Sequence, residues 1–411
     1  MIHRFSLFIL AFVIVLDVYS YQAVRTLTRD SSERTKNIAA IIFWSITAIT
    51  FISIIISALN PSLITHKQWR FFTMGFLTLF YIPKLFVVLF LLIDDVIRLF
   101  RWIFSFIIPP KTESAGHKIS RSKFLSMTGS LIGGFLFLNL FYGIVRGAYN
   151  YQLKRHVLKF PNLPKSFDGL KIIQISDIHT GSFVSTAPLA HAVDLINKEE
   201  PDLVLFTGDL VNSLATEAND YIDVLKNIKA KMGVYSIKGN HDYGDYYDWS
   251  NAAEKDADQQ LLDEHHKNLG WQLLKDETIA IEKDGDSIAL IGMENWGKRF
   301  QQYGDIHKAR IGSEKFPFKI LMSHDPSCFD EQIKTAHKDI DLTLSGHTHG
   351  MQFGVKLGKW EWSPVSLAYR YWGGVYKEGN QIINVNRGLG FIGYPGRVGI
   401  LPEITVMTLI S

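Results

Sequence analysis

Five short polar blocks of this chain could carry chemistry, because they combine carboxylates, amides and imidazoles of the kinds that bind divalent metals. Each block follows an apolar stretch that predicts a buried strand. The blocks are Asp177-Ile178-His179, Gly208-Asp209, Gly239-Asn240-His241-Asp242, Ser323-His324-Asp325 and Gly346-His347-Thr348-His349-Gly350. A lone histidine or a Gly-Asp pair is usually an ordinary core, surface or turn feature. Five in series, each at a strand end, predict one shared site.

The residue types indicate which ions this site would hold. Oxygen ligands combined with imidazole nitrogens suit Mn, Fe or Zn, and two such cations need a carboxylate that contacts both. Histidines bind metals in the neutral form, while the acidic residues offset the cations' charge. Glycines beside the ligands allow sharp turns. We therefore expect a cofactor of two divalent metal ions.

Apolar strands that position the blocks alternate with helical stretches and then continue as hairpins. The first is the β-branched run of Ile172, Ile173 and Ile175. The other predicted strands are 203–207, 234–238, 271–274, 278–282, 287–291, 318–322, 342–344, 381–385 and 404–409. This order predicts a layered α/β or α+β domain over residues 170–411, with a buried sheet core.

The N-terminal part predicts a membrane region over residues 1–148. Four apolar stretches are long enough to cross a bilayer, which needs about 20 helical residues; they cover 5–23, 38–59, 71–93 and 124–145. Core helices of a soluble domain rarely stay apolar on all sides for so long. A cleaved signal peptide fits the first stretch poorly, because no small-residue cleavage site precedes Arg25. Residues 96–108 predict an additional interfacial helix.

Charge divides the chain in the same place. Residues 1–150 hold 15 Lys and Arg against 6 Asp and Glu, whereas the remainder carries a net charge of −6. The half with the metal-type motifs would repel a polyanion, so we expect no nucleic-acid partner. The single cysteine, Cys328, excludes an internal disulfide framework.

Basic residues in the short loops predict the orientation in the membrane. The first loop contains Arg25, Arg29, Arg34 and Lys36, and the third contains Arg98, Arg101, Lys111, Lys118, Arg121 and Lys123. The second loop has only Lys67 and Arg70. Loops one and three should therefore face the cytoplasm, which places both termini on the extracytoplasmic side. Basic residues after the fourth span reduce this contrast.

Two charged residues, Asp17 and Lys84, fall inside predicted spans at similar depth. We expect them to pair between neighbouring helices; an ion or substrate path is the alternative. After the fourth span, residues 149–169 are polar, basic and interrupted by Pro161 and Pro164, so they predict a linker to the first strand.

In this order the five blocks resemble the calcineurin-like metallophosphoesterase superfamily, over essentially all of residues 170–411. The similarity to its membrane-associated bacterial branch rests on Gly208-Asp209-Leu210-Val211, Gly350-x-Gln352, and the tail Asn386-Arg387-Gly388-Leu389-Gly390 with Pro402-Glu403-Ile404. The resemblance implies an α/β (α+β) fold class: a four-helix transmembrane region followed by a β-sandwich flanked by helices. Ser323 departs from the family, which often has glycine before the histidine.

The resemblance also implies a role for each site residue. Asp177, His179, Asp209 and His349 would hold the first metal, and Asp209 would bridge to a second metal held by Asn240, His324 and His347. His241 would act on the phosphate as a general acid or transition-state stabiliser, with Asp242 fixing its orientation. A water or hydroxide that bridges the metals would attack phosphorus.

Arg387 and Arg397 in the tail are candidate phosphate contacts, with structural ion pairs as the equal alternative. The aromatic stretches 243–249 and 360–372 are candidates for the rim of the cleft, and Trp and Tyr also favour membrane interfaces.

The leading interpretation is a membrane-anchored phosphoesterase that cleaves phosphodiester or pyrophosphate bonds, with lipid or lipid-linked phosphates as a fitting substrate class. A broad phosphomonoesterase or nuclease is the alternative enzyme. A membrane sensor that binds a ligand without turnover is the non-enzymatic alternative. The sequence does not specify an oligomeric state.

Overall fold

The computed structural model describes residues 2–60, 62–63, 66–106, 120–358 and 360–411, with side chains from residue 8 onward. Contacts between Cα atoms divide the chain into two compact units, Met1–Tyr142 and Gly143–Ser411. We call them the helical unit and the sheet unit.

The helical unit is built from four long helices. They are α1 (Ile2–Leu27), α2 (Glu33–Leu59), α3 (Lys67–Ser105) and α4 (Arg121–Val145), of which the last ends just inside the sheet unit. All four are long and apolar enough to cross a membrane. The four predicted spans are therefore confirmed.

The segment predicted as a separate interfacial helix, 96–108, is instead the continuation of α3 as far as Ser105, and 107–108 lie outside the described residues. The acidic residues before it do not interrupt the helix, because Asp94 forms ion pairs with Arg98 one turn along and with Arg121 of α4. Of the third-loop basic residues, Lys111 and Lys118 also lie outside the described residues.

A buried polar cluster lies inside the helical unit, where α1, α2 and α3 meet. The fully buried carboxylate of Asp17 accepts hydrogen bonds from Thr47 Oγ1 at 2.7 Å and Tyr81 OH at 2.9 Å. Lys84 Nζ lies 2.5 Å from the same carboxylate. The predicted Asp17–Lys84 pair is therefore confirmed.

We expect Asp17→Asn and Lys84→Met to be strongly coupled in stability. Each single change leaves an unpaired buried polar group and should cost about 3 kcal/mol, whereas the double variant should cost clearly less than the sum. Thermal unfolding of the detergent-solubilised chain measures this. The exposed pair Glu33–Lys36 on α2 is the matched control and should show almost no coupling. Additive losses for Asp17 and Lys84 would contradict a stabilising pair.

Among its described residues, the sheet unit contains five α-helices and fourteen strands. The helices are α5 (Ala187–Lys198), α6 (Ile222–Leu225), α7 (Ala252–Asn268), α8 (Ile306–Ala309) and α9 (Lys334–Ala336). The strands are β1 (Gln152–Lys159), β2 (Leu170–Ile175), β3 (Leu203–Phe206), β4 (Val234–Ser236), β5 (Gln272–Leu273), β6 (Glu277–Lys283), β7 (Asp286–Gly292), β8 (Lys319–Met322), β9 (Leu342–Ser345), β10 (Val355–Leu357), β11 (Trp360–Trp362), β12 (Gly374–Glu378), β13 (Gln381–Val385) and β14 (Glu403–Ile410).

Twelve of these strands form two six-stranded sheets, in the orders β1-β14-β2-β3-β4-β5 and β12-β13-β9-β8-β7-β6. Strands β2 to β5 run parallel, as do β7, β8, β9 and β13. Strands β10 and β11 pair only with each other.

Side chains from both sheets share one hydrophobic core. Ile172 of β2 and Leu205 of β3 lie in the same buried cluster as Leu290 of β7 and Leu344 of β9. Because side chains alternate along a strand, Ile291 of β7 points the other way, into a second cluster that contains residues of α8. This is the predicted β-sandwich flanked by helices.

The stretch predicted as a linker, 149–169, differs from that expectation. It contains β1, which pairs in parallel with β14 along its whole length, from Gln152 opposite Glu403 to Lys159 opposite Ile410. Its hydrophobic residues are too few to reveal a strand on their own. The partner strand, about 250 residues away along the chain, supplies the hydrogen bonds that form it.

Candidate metal centre

The predicted metal-type blocks all lie at the carboxyl ends of parallel strands. Asp177 follows β2, Asp209 follows β3, Asn240 follows β4, His324 follows β8, and His347 follows β9. Because the carboxyl ends of parallel strands meet at one edge of a sheet, the sandwich brings these blocks together from both of its sheets.

The backbone at this edge is strained. Five predicted ligands adopt the left-handed conformation, with φ between 50° and 70°: Asp177, His179, Asp209, His347 and His349. Such values are uncommon for residues other than glycine and concentrate at functional sites. Glycine is required beside them, since a Cβ atom at Gly239 would lie 2.2 Å from Oδ1 of Asp209.

Asp177, His179 and His349 form the first group of potential ligands, and all three are buried. Nε2 of His179 lies 3.0 Å from Nε2 of His349, which in turn lies 3.3 Å from Oδ1 of Asp177. Nδ1 of His179 is 3.0 Å from Oδ1 of Asn212, to which it donates a proton. Nε2 of His179 is therefore left with a lone pair that points into the group.

Asp209, His324 and His347 form the second group. Nε2 of His324 lies 3.2 Å from Oδ2 of Asp209 and 3.1 Å from Oδ1 of Asn240. The Asn240 oxygen is also 2.8 Å from Nδ1 of His347. Nδ1 of His324 donates to the carbonyl of Thr207 at 2.7 Å, so its Nε2 also presents a lone pair.

Asp209 joins the two groups. Its Oδ2 atom lies 3.2 Å from Nε2 of His324 and 3.5 Å from Nε2 of His179. Histidine nitrogens from both groups thus lie close to the same carboxylate oxygen. Their lone pairs and those of the carboxylates form a set of ligands suited to cations. The residues present fit two divalent metals.

Burial sets the charge of most of these histidines. It lowers the pKa of His179 to about 3 and that of His347 to about 4, and it lowers the pKa of His349 well below its usual value. These three side chains are therefore neutral at pH 7, the form that binds metals.

His324 behaves differently, because it lies against Asp209. Burial disfavours its charged form, but the Asp209 carboxylate outweighs this effect and raises the pKa of His324 to about 10. For Asp209, burial favours the neutral form, but the charges of His324 and His241 hold its pKa well below the usual value. For Asp177, burial outweighs the charge of His324 and raises the pKa to about 7. A bound cation would replace the proton on His324.

His241 lies next to the metal-type groups without belonging to either. Its Nδ1 lies 2.7 Å from the carbonyl oxygen of Asn212, and its ring packs against Tyr246 at 4.4 Å between centroids. Its backbone N–H donates to Oδ1 of Asp209 at 2.9 Å. Nδ1 is thus committed to the backbone, and Nε2 is free to act on a substrate.

Asp242 does not orient His241, contrary to our expectation from the sequence. Its carboxylate accepts backbone hydrogen bonds from Asp209 and Leu210 at 2.8 Å, Gly239 at 2.9 Å and Val211 at 3.1 Å. Burial raises its pKa to about 6, so it stays ionised at neutral pH. Asp242 therefore holds the loop that carries Asp209, and the Asn212 carbonyl holds His241.

Arg387 and Arg397, the candidate phosphate contacts, are engaged within the protein. Arg387 pairs with Glu403 and Glu361, and Arg397 is fully buried and donates to the carbonyl oxygens of Arg387 and Gly390. These contacts favour the structural alternative, because partners among neighbouring residues already use the donors that a phosphate would need.

An open cavity of about 390 Å³ adjoins the metal-type groups. Five residues of the metal-type blocks line it: Asp209, Asn240, His241, His347 and His349. The lining also includes Arg299, Phe300, Met351, Val365, Tyr369 and Ile392. The cavity therefore combines potential metal ligands, one arginine and apolar side chains.

Sequence reasoning missed Asn212 and Arg299, and it included Tyr369 only as part of the rim stretch 360–372. Asn212 holds His179 through its side chain and His241 through its carbonyl, Tyr369 OH lies 2.9 Å from Nε2 of His347, and Arg299 lines the cavity. The only available signal for Asn212 was its position three residues after Asp209. Arg299 lies in a loop with no preceding motif, so nothing local indicated it.

Comparison with known proteins agrees with this geometry. Residues 170–351 match the family described as calcineurin-like phosphoesterase, and residues 3–148 match one described as probable calcineurin-like phosphoesterase, transmembrane domain. The chain is 33% identical to the uncharacterized metallophosphoesterase YkuE of Bacillus subtilis, over 72% of this chain and 99% of that protein.

Vertebrate relatives also match. A transmembrane protein with metallophosphoesterase domain from Danio rerio is 28% identical over 65% of this chain and 59% of its own length. The protein of the same description from Bos taurus is 30% identical over 60% of this chain and 54% of its own length. The chain thus spans a little over half of these two relatives. From the motifs, the site and these matches, we conclude that this chain belongs to the calcineurin-like phosphoesterase family, as a membrane-associated, metal-dependent phosphoesterase.

Proposed function

We propose that the chain is a dinuclear-metal hydrolase of phosphodiester or pyrophosphate bonds, acting on lipid or lipid-linked substrates. The observation that carries the dinuclear assignment is the position of Asp209, whose Oδ2 atom lies within 3.5 Å of a histidine from each group. A single carboxylate oxygen between two sets of buried lone pairs is the arrangement that two neighbouring cations require.

Each side chain of the centre then has a defined role. Asp177, His179 and His349 would hold the first metal, Asp209 would be shared, and Asn240, His324 and His347 would hold the second, as the sequence resemblance implied. When bound, the two cations supply Lewis acidity and activate the nucleophile for attack on phosphorus. Mn, Fe or Zn suits this donor set.

His241 supplies the proton chemistry in this proposal. Because its Nδ1 is hydrogen-bonded to the Asn212 carbonyl, the protonated ring can donate from Nε2 to the oxygen of the leaving group. Arg299, in the cavity wall, is placed to contact a phosphate oxygen of the substrate, the role first assigned to Arg387 and Arg397.

The apolar side chains in the cavity lining support a lipid-type substrate. Phe300, Met351, Val365 and Ile392 can accommodate an acyl or prenyl chain, and the potential metal ligands in the same cavity can accommodate the phosphate. The transmembrane helices keep the enzyme where such substrates are found.

We place the catalytic unit on the extracytoplasmic side of the membrane. This follows from the basic first and third loops. An ion pair supports this orientation. It joins Lys123, at the start of α4, to Asp30, between α1 and α2, so the first and third loop regions lie at the same end of the helical unit.

Hydrolysis by the full chain in detergent tests the activity. With Mn added, we expect turnover of bis-p-nitrophenyl phosphate, and of a lipid diester or pyrophosphate, at a kcat/KM at least about tenfold above that for p-nitrophenyl phosphate. EDTA should abolish turnover. A preference for the monoester would instead indicate a broad phosphomonoesterase. Stoichiometric metal binding without hydrolysis of any substrate would indicate a sensor.

A further inference from the structure

The hairpin formed by β10 and β11 stands apart from both sheets. Its two strands pair antiparallel, with Val355 opposite Trp362, Lys356 opposite Glu361, and Leu357 opposite Trp360. Directly opposed residues share a face, and neighbouring residues alternate between faces. One face of this hairpin is therefore entirely apolar, and the other carries a Lys356–Glu361 ion pair of 2.8 Å.

The apolar face is exposed most at the turn end of the hairpin. Leu357 is 68% exposed and Trp360 is 56% exposed, and Val355 and Trp362 are also exposed. Two further exposed apolar side chains flank the hairpin, Met351 and Leu367. Six large apolar side chains are thus exposed within 17 residues, which marks an interaction surface.

The charged face of the hairpin borders a cavity of about 210 Å³ whose lining includes three cationic side chains. Lys154, Lys356 and Arg387 line it together with Glu361 and Gln152. The carboxylates of Glu361 and Glu403 already pair with Lys356 and Arg387, so Lys154 adds a positive charge that they do not offset. Burial and the adjacent Lys356 ammonium lower the pKa of Lys154, and the charges of Glu361 and Glu403 oppose this only in part.

Chain length keeps one end of the basic cavity near the last transmembrane helix. The last transmembrane helix ends at Val145, and Gln152, which lines the basic cavity, is only seven residues later. Seven residues span at most about 25 Å when fully extended. Gln152, at one end of the basic cavity that the hairpin borders, therefore lies within that distance of the end of α4.

We propose that the β10–β11 hairpin docks onto the bilayer with its apolar face in the interfacial region. Lys154 and Lys356, on the opposite face, would then lie above it, within the range over which anionic lipid headgroups attract cations. Tryptophan favours the interfacial region of a membrane, and lysines near the surface attract anionic lipids. The hairpin begins three residues after Gln352, which lines the catalytic cavity. Docking therefore brings the rim of that cavity to the level of the headgroups.

A fluorescent probe at the tip of the hairpin tests this in the full chain. The native Cys328 is fully buried, so a Leu357→Cys variant can be labelled selectively with a nitrobenzoxadiazole reagent. The matched control is Ile311→Cys, at an exposed apolar residue elsewhere in the sheet unit. Both proteins are placed in nanodiscs of phosphatidylcholine, alone or mixed with phosphatidylglycerol. Quenching by iodide in the water and by doxyl-labelled lipid is then measured.

We expect the probe at residue 357 to be shielded from iodide and quenched by doxyl lipid several-fold more than the probe at residue 311. Adding Trp360→Ser and Trp362→Ser should shift the docking equilibrium by at least about tenfold toward the undocked form. Lys154→Gln with Lys356→Gln should weaken docking only in nanodiscs that contain phosphatidylglycerol.

Equal iodide quenching at residues 357 and 311 in both lipid mixtures would overturn the proposal. So would shielding that persists in detergent and rises with protein concentration, since that would assign the surface to a second copy of the chain. Neither result bears on hydrolysis, which the substrate comparison measures separately.

Discussion

Asp209→Ala is expected to abolish both metal binding and turnover. The Asp209 carboxylate is shared by the two ligand groups, with Oδ2 3.2 Å from His324 and 3.5 Å from His179. In the proposed dinuclear centre, its removal would take a ligand from each metal and leave the facing histidines without a negative charge. We expect kcat to fall by at least about 10⁴-fold, because the activation that the cations supply is lost.

Metal content by mass spectrometry, measured on the same preparation as the hydrolysis rate, checks this expectation. Asp194→Ala is the matched control, since Asp194 is an exposed aspartate on α5. Circular dichroism verifies that both variants are folded. An Asp209→Ala protein that retains two metals and substantial activity would contradict the role of Asp209 as the shared ligand.

The second large effect is expected for His241→Ala, which should keep both metals and lose turnover. His241 belongs to neither ligand group, and its Nδ1 is hydrogen-bonded to the Asn212 carbonyl at 2.7 Å. Loss of a general acid that also stabilises the transition state should lower kcat by about 10²–10⁴-fold. His191→Ala, at an exposed histidine of α5, is the matched control.

A comparison of substrates with different leaving groups distinguishes loss of proton donation from general damage to the site. p-Nitrophenolate leaves readily without a proton, whereas an alkoxide does not. The defect of His241→Ala should therefore be smaller for p-nitrophenyl esters than for alkyl or lipid esters. Metal loss equal to that of Asp209→Ala would remove the distinction between the two residues. An identical defect for all leaving groups would leave His241 as a binding group only.

The ligand-rich edge of the sandwich could be predicted because its signals are local. Each block directly follows an apolar strand, and carboxylates and histidines have few common uses at such positions other than metal binding. The four apolar spans are equally local, because length and composition alone distinguish them from core helices. The Asp17–Lys84 pair was also predictable, since a buried charge within a span requires a partner at its own depth.

The errors concern side chains whose partners come from elsewhere in the fold. Asp242 lies beside His241 in sequence, but its carboxylate points to the backbone N–H groups of the loop after β3. From the sequence alone Arg387 is a candidate phosphate contact, but in the fold β11 and β14 place Glu361 and Glu403 against it. The residues of β1 have the composition of a linker, but in the fold they pair with β14.

The sequence by itself determined which residue types this protein has for metal chemistry, that strands precede them, and that the chain is held in a membrane. Those properties depend on the period and composition of neighbouring residues. Only the tertiary structure decided which oxygen lies between the two metal groups, which carbonyl orients His241, and which arginine lines the cavity. Residues as far apart as His179 and His349 come within 3.0 Å only when both sheets are packed, and no local pattern encodes that distance.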